Sequence, residues 1–201
     1  GTTYYYVVSA ENTAGESADS AEVWAIASAV NTVLYFDDFD GGAVTLLGTT
    51  PDITVGANTW SNANPTVENE FLADGTVNGN DFDSAWLPFT PQQGKIYVLS
   101  AEMQCLSTAG YMALSFCIDD VSNANGTHLG HFTVTGDTVK ASPGLGNTNN
   151  ITTTGVTGLA KLTVLLDCRD ERSYMWTTSH YINDVLVPGA ENRTAAAGGD
   201  Y

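Results

Sequence analysis

Apolar and polar residues change over in short runs along this chain, and almost nowhere do they repeat at the spacing of a helix face. In residues 2–10 the positions Tyr4, Tyr6, Val8 and Ala10 share one face of an extended strand. Residues 18–29 are the only stretch with helical character, yet Val23, Trp24 and Ile26 alternate better as strand. β-Branched and aromatic runs separated by Gly, Asn, Asp and Pro predict strands at 2–10, 21–28, 33–37, 43–47, 84–89, 95–105, 111–119, 128–134, 159–167 and 174–187. The last is expected to break near Asn183-Asp184. Residues 49–80 read as loop, as do residues 135–157, where Pro143, Gly144, Gly146 and the 147–150 run oppose regular pairing. Many short strands with turn residues between them predict an all-β sandwich.

Two stretches carry resemblances. Gly1-Thr2-Thr3-Tyr4-Tyr5-Tyr6-Val7-Val8-Ser9-Ala10-Glu11-Asn12, followed by Ala14-Gly15-Glu16-Ser17, resembles the last two strands of a fibronectin type III domain. The resemblance implies that Tyr4 is the corner tyrosine. It turns Tyr6, Val8 and Ala10 inward, with Val23 on the returning strand. It covers residues 1–29, and the family's preceding strands are not in this chain.

From residue 33 onward the chain resembles a concanavalin/laminin-G-like jelly roll. The likeness rests on Tyr35-Phe36-Asp37-Asp38-Phe39-Asp40-Gly41, on Trp86 to Pro91 with Gly94 to Ala101, and on Trp176 to Val187. In the last of these Asp184 stands where the family usually has Gly. The implied organisation is a partial fibronectin hairpin at 1–29 and a jelly-roll domain at 33–201. No apolar strand is legible after Gly189, so the sandwich is expected to be open at that end. Large surface and secreted bacterial proteins carry such domains, which implies an extracellular or cell-surface location.

A two-stranded hairpin alone is marginal in water, and its edges offer unpaired N–H and C=O groups. The face carrying Tyr4, Tyr6, Val8 and Val23 therefore needs a partner, either residues 33–201 or another copy of the chain. This favours a structural role, a head-to-tail homopolymer formed by strand complementation. The alternative is a lectin-like accessory module that binds polysaccharide.

Charge narrows the partners. Twenty-three acidic residues against six basic ones give a formal net charge of −17. That surface repels nucleic acid and anionic lipid. No apolar run approaches the roughly 20 residues of a membrane helix. Three cysteines, Cys105, Cys117 and Cys168, permit at most one internal disulfide, and their spacing does not say which.

Groups capable of chemistry are sparse. Glu68 and Glu70 lie in a polar loop without the third acid of a glycosidase strand, and Asp167, Asp170 and Glu171 share a turn with Arg169 and Arg172. His128 and His131 are three apart in a strand and point to opposite faces, and His180 is distant in sequence. No enzymatic activity is expected. Asp37, Asp38 and Asp40 form one oxygen-rich cluster, and Asp74, Asp81 and Asp83 lie in another. Either suits a hard cation such as Ca²⁺, and either suits plain Asx turns. Trp60, flanked by Asn58, Thr59, Ser61 and Asn62, is the best solvent-facing ring for sugar stacking. Asn125, Asn150 and Asn192 head Asn-x-Thr triplets in predicted loops and are candidate glycan acceptors.

Overall fold

The computed structural model describes residues 3–13, 15–20, 23–26, 32–40, 44–61, 66–67, 71–72, 85–106, 111–117, 128–143, 150–191 and 193–194. Every pairing among the described strands is antiparallel, and no α-helix occurs among them. β1 (Thr3–Tyr6), β2 (Glu11–Asn12), β3 (Gly15–Glu16) and β4 (Val23–Ile26) make an N-terminal ribbon, β1 against β4 and β2 against β3. β5 (Val44–Thr45), β6 (Thr66–Val67) and β7 (Phe71–Leu72) form a small sheet. The longer strands follow as β8 (Ile96–Met103), β9 (Met112–Cys117), β10 (His128–Thr135) and β11 (Thr138–Pro143). Then come β12 (Ile151–Thr153), β13 (Ala160–Asp167), β14 (Thr177–Ile182), β15 (Val185–Leu186) and β16 (Arg193–Thr194).

Two sheets, ordered β12-β11-β10-β9 and β15-β14-β13-β8, face each other, with β16 beside β14. The period of two decides what lies between them. In β13 Ala160, Leu162, Val164 and Leu166 are buried while Lys161, Thr163, Leu165 and Asp167 look outward. Phe132, Val134, Val139 and Ala141 meet them from β10 and β11. Each large side chain so buried contributes about 1.5–3 kcal/mol. The sheets come into close contact where buried Gly130 lies over Thr178. A Cβ at Gly130 would stand 2.8 Å from Thr178 Cγ2.

Most of the longer predicted strands are present, with shorter ends. The strand expected at 33–37 is a single bridge, Phe36 to Ile53, and that at 84–89 is a single bridge, Trp86 to Ser61. Residues 135–157 are not all loop, because they contain β11 and β12. The signal is the two-residue turn Gly136-Asp137. Gly136 has φ 55, which lets Thr135 pair with Thr138 and carries the chain back along β10. The break at Asn183-Asp184 is a tight two-residue turn in which both residues take positive φ, 50 and 64. Asn183 fastens it by accepting from the Lys161 amide at 3.0 Å, and Lys161 Nζ pairs with Asp184 at 2.8 Å. The end expected to be open after Gly189 carries β16, which pairs Arg193 and Thr194 with β14.

Cys105, Cys117 and Cys168 form no disulfide with one another. Burial, and then the Asp167 charge, push the Cys168 thiol up to about 12, so it is inert as a nucleophile.

Candidate functional site

Two regions of the molecule could carry function. The first is an acidic corner on the loop between residues 33 and 61. Asp37, Asp38 and Asp52 each bring a carboxylate oxygen within 4.8 Å of the others. The turn geometry is local. Asp37 Oδ1 accepts from the Phe39 amide at 2.9 Å and Asp38 Oδ1 from the Asp40 amide at 3.1 Å, two successive Asx turns. Asp52, not singled out from sequence, is brought in by the Phe36–Ile53 bridge, and its Oδ2 accepts from the Asp38 amide at 3.2 Å. Only tertiary pairing could place it there.

The Asp38 carboxylate, its hydrogen bond and then the Asp52 and Asp37 charges hold the exposed Asp40 above its ordinary carboxylate range. The donor set is all oxygen, which fits a hard cation such as Ca²⁺. Asp52→Asn keeps the bond to the Asp38 amide and removes one charge. It is expected to raise Tm at low ionic strength, with a gain that shrinks as salt screens the corner. Millimolar Ca²⁺ is expected to raise the wild-type Tm by cancelling the same repulsion. Thermal scans that move with neither would leave these acids as turn caps only.

Trp60 belongs to this corner and does not stand free in solvent. Its ring is half-buried against Leu46 and Phe39, centroids 5.9 Å apart for the aromatic pair, and its Nε1–H donates to Asp37 Oδ2 at 2.6 Å. Asp74, Asp81 and Asp83 lie outside the described residues, as do Asn125 and Asn192. Asn150 is exposed just before β12, where its Oδ1 accepts from the buried Ser142 hydroxyl. His131 and His180 are both buried, and nothing brings the histidines together as a metal site among the described residues.

The second region is the N-terminal ribbon and the open side of the sandwich. Every described side chain from Val7 to Ser20 is exposed, Val8 at 70% and Val7 at 49%. Main-chain bonds from Ser17 to Ala10 and from Ser20 to Val8, at 2.8 and 2.9 Å, hold the two strands together beyond β1 and β4. The side chains of Tyr4, Tyr6 and Val23 lie outside the described set. Of the two partners expected for this face, the chain's own sandwich leaves Val8 uncovered.

The open side shows complementary wants. β8 ends its sheet, and no described strand pairs with its second edge. Asn183 takes the main chain of Lys161 toward β14, with its amide donating to Lys161 O at 2.8 Å. Alternation then turns Leu162, Val164 and Leu166 toward β8, and their partners Ala101, Leu99 and Tyr97 toward β13. The N–H and C=O groups of Ile96, Val98, Ser100 and Glu102 are thus left on the open edge. Their side chains are exposed as well, Val98 at 63%. Comparison of the chain with protein-family models, with curated proteins and with solved structures finds no match to any of them.

Proposed function

We propose that this chain is an extracellular structural subunit, a laminin-G-like jelly roll carrying a fibronectin-derived hairpin, which polymerises head to tail through strand pairing between copies. The observation that carries the reading is the exposed ribbon. An isolated two-stranded ribbon is marginal in water; this one presents Val7 and Val8 to solvent, and the sandwich has in β8 an eight-residue strand whose second edge no described strand pairs.

Copies that each carry −17 repel one another, so pairing and apolar burial must overcome that repulsion. Raising salt is therefore expected to favour assembly, the reverse of a charge-driven contact. Val8→Lys tests the reading directly. Val8 is exposed in the single chain, so the variant is expected to keep the wild-type melting curve and lose polymer in light scattering and electron microscopy. Wild-type chain that stays monomeric at all concentrations and salts, and binds polysaccharide instead, would replace this reading with a lectin-like one.

A further inference from the structure

The parity of the two edges says how such a contact would be built. In the ribbon Val8 and Ala10 spend their main-chain groups on the returning strand, through Ser20 and Ser17. Alternation leaves Val7, Ser9 and Glu11 with N–H and C=O on the ribbon's outer edge. The open edge of β8 offers the even positions 96 to 102. An antiparallel pair must oppose residues that both point their bonds at each other, so odd ribbon positions fall opposite even β8 positions.

That parity has a consequence for the side chains. Val7 falls on the outer face with Ile96 and Val98, while Val8 falls on the core side with Tyr97 and Leu99. The sequence alternation assigns Tyr4 and Tyr6 to Val8's face. The core side of this edge is where cover is wanted. Tyr97, Leu99 and Met103 of β8, and Met112 and Leu114 of β9, are apolar residues packed on the core yet only half-buried. The alignment that backbone parity requires thus also places apolar side chains over this half-buried surface.

Charge selects the register and the direction. The ribbon tip is acidic, with Glu11 opposite Glu16 and Asp19 nearby. Lys95, at the start of β8, is exposed and makes no ion pair among the described residues, whereas Glu102 lies toward the other end. Setting the tip beside Lys95 and away from Glu102 runs residues 3–11 antiparallel to β8. Val7 then meets Val98, Ser9 meets Ile96, and Glu11 lies next to Lys95.

We propose, resting on the assembly reading above, that the first strand of a neighbouring copy's ribbon adds antiparallel to the open edge of β8, Val7 opposite Val98. Residues directly opposite in such a pair have Cα atoms about 5.5 Å apart at most, within disulfide reach. Full-length Val7→Cys and Val98→Cys chains, both in a Cys117→Ser background, are mixed under mild oxidation. A parallel mixture pairs Val7→Cys with Ala113→Cys, which offers a thiol on the rival edge strand β9. All three sites are exposed, and melting curves check that each variant is folded.

The expected result is mixed disulfide dimer in roughly tenfold excess for the Val98 mixture, since only residues brought opposite each other bridge readily. Equal yields, or a predominance of Val7–Val7 dimers, overturn the assignment of β8 as acceptor. Light scattering on unmodified chain separates the two failures. Polymer without the Val7–Val98 bridge removes the acceptor alone, and no polymer at any concentration removes the assembly reading with it.

Discussion

Acidification from pH 7 to pH 4 is expected to remove about 3 kcal/mol of stability through one side chain, His180. It is fully buried on β14, its ring edge-on to Phe132 of the facing sheet at 5.0 Å, and neither ring nitrogen makes a hydrogen bond of ordinary geometry. Burial lowers its pKa to about 4, against the pull of the Ala190 and His131 main chain. The unfolded chain then binds the proton near pH 6.5 and the folded one only near 4. Stability is therefore complete above about pH 6.5 and is lost progressively as pH falls through that window. Asp167 titrates lower. Its bond to Arg169 holds it below the ordinary carboxylate value, so its contribution disappears only under about pH 3.8. Lost charge repulsion acts in the opposite sense and is common to all variants. Denaturant unfolding of wild type and His180→Leu at pH 7 and pH 4.5 isolates the histidine. The variant is expected to lose far less stability on acidification, and parallel losses in both proteins would remove His180 as the cause.

Gly130→Ala is expected to cost about 1–3 kcal/mol, as an added methyl does in a well-packed core. The new Cβ would lie 2.8 Å from Thr178 Cγ2 and 3.0 Å from both Thr178 Cβ and Oγ1. Thr178 is fully buried between the sheets. Thr178→Ala removes the two outer atoms of that clash, together with a hydroxyl that has no hydrogen-bond partner. The double variant is therefore expected to recover part of the loss, which urea melts of the four proteins measure as a coupling energy. Additive losses would mean that the sheets part elsewhere to admit the methyl.

The alternation that exposed the fold in the sequence was strongest where one face is apolar throughout. Residues 159–167 are the clearest case, and β13 follows them to within a residue. It was weakest at β11, where Val139 and Ala141 are the only inward apolar residues before Pro143 and the Gly136-Asp137 turn is the better signal. Isolated bridges at Phe36 and Trp86 replaced whole strands because an apolar run states that a segment is buried, not that a partner lies beside it. The acidic corner was half legible. Asp37, Asp38 and Asp40 are local in sequence, whereas Asp52 joins them through a pairing that no local pattern announces.

By itself the sequence determined that the chain is all-β and that it is strongly acidic. Each of these is a sum or a period over neighbouring residues, and neighbours are what a sequence displays. The tertiary structure alone decided that Trp60 is tied to Asp37, that Gly130 lies against Thr178, and that His180 is sealed in the core. It also decided which edge of β8 is left without a partner among the described strands, because main-chain bonding parity depends on the strand that takes the other side.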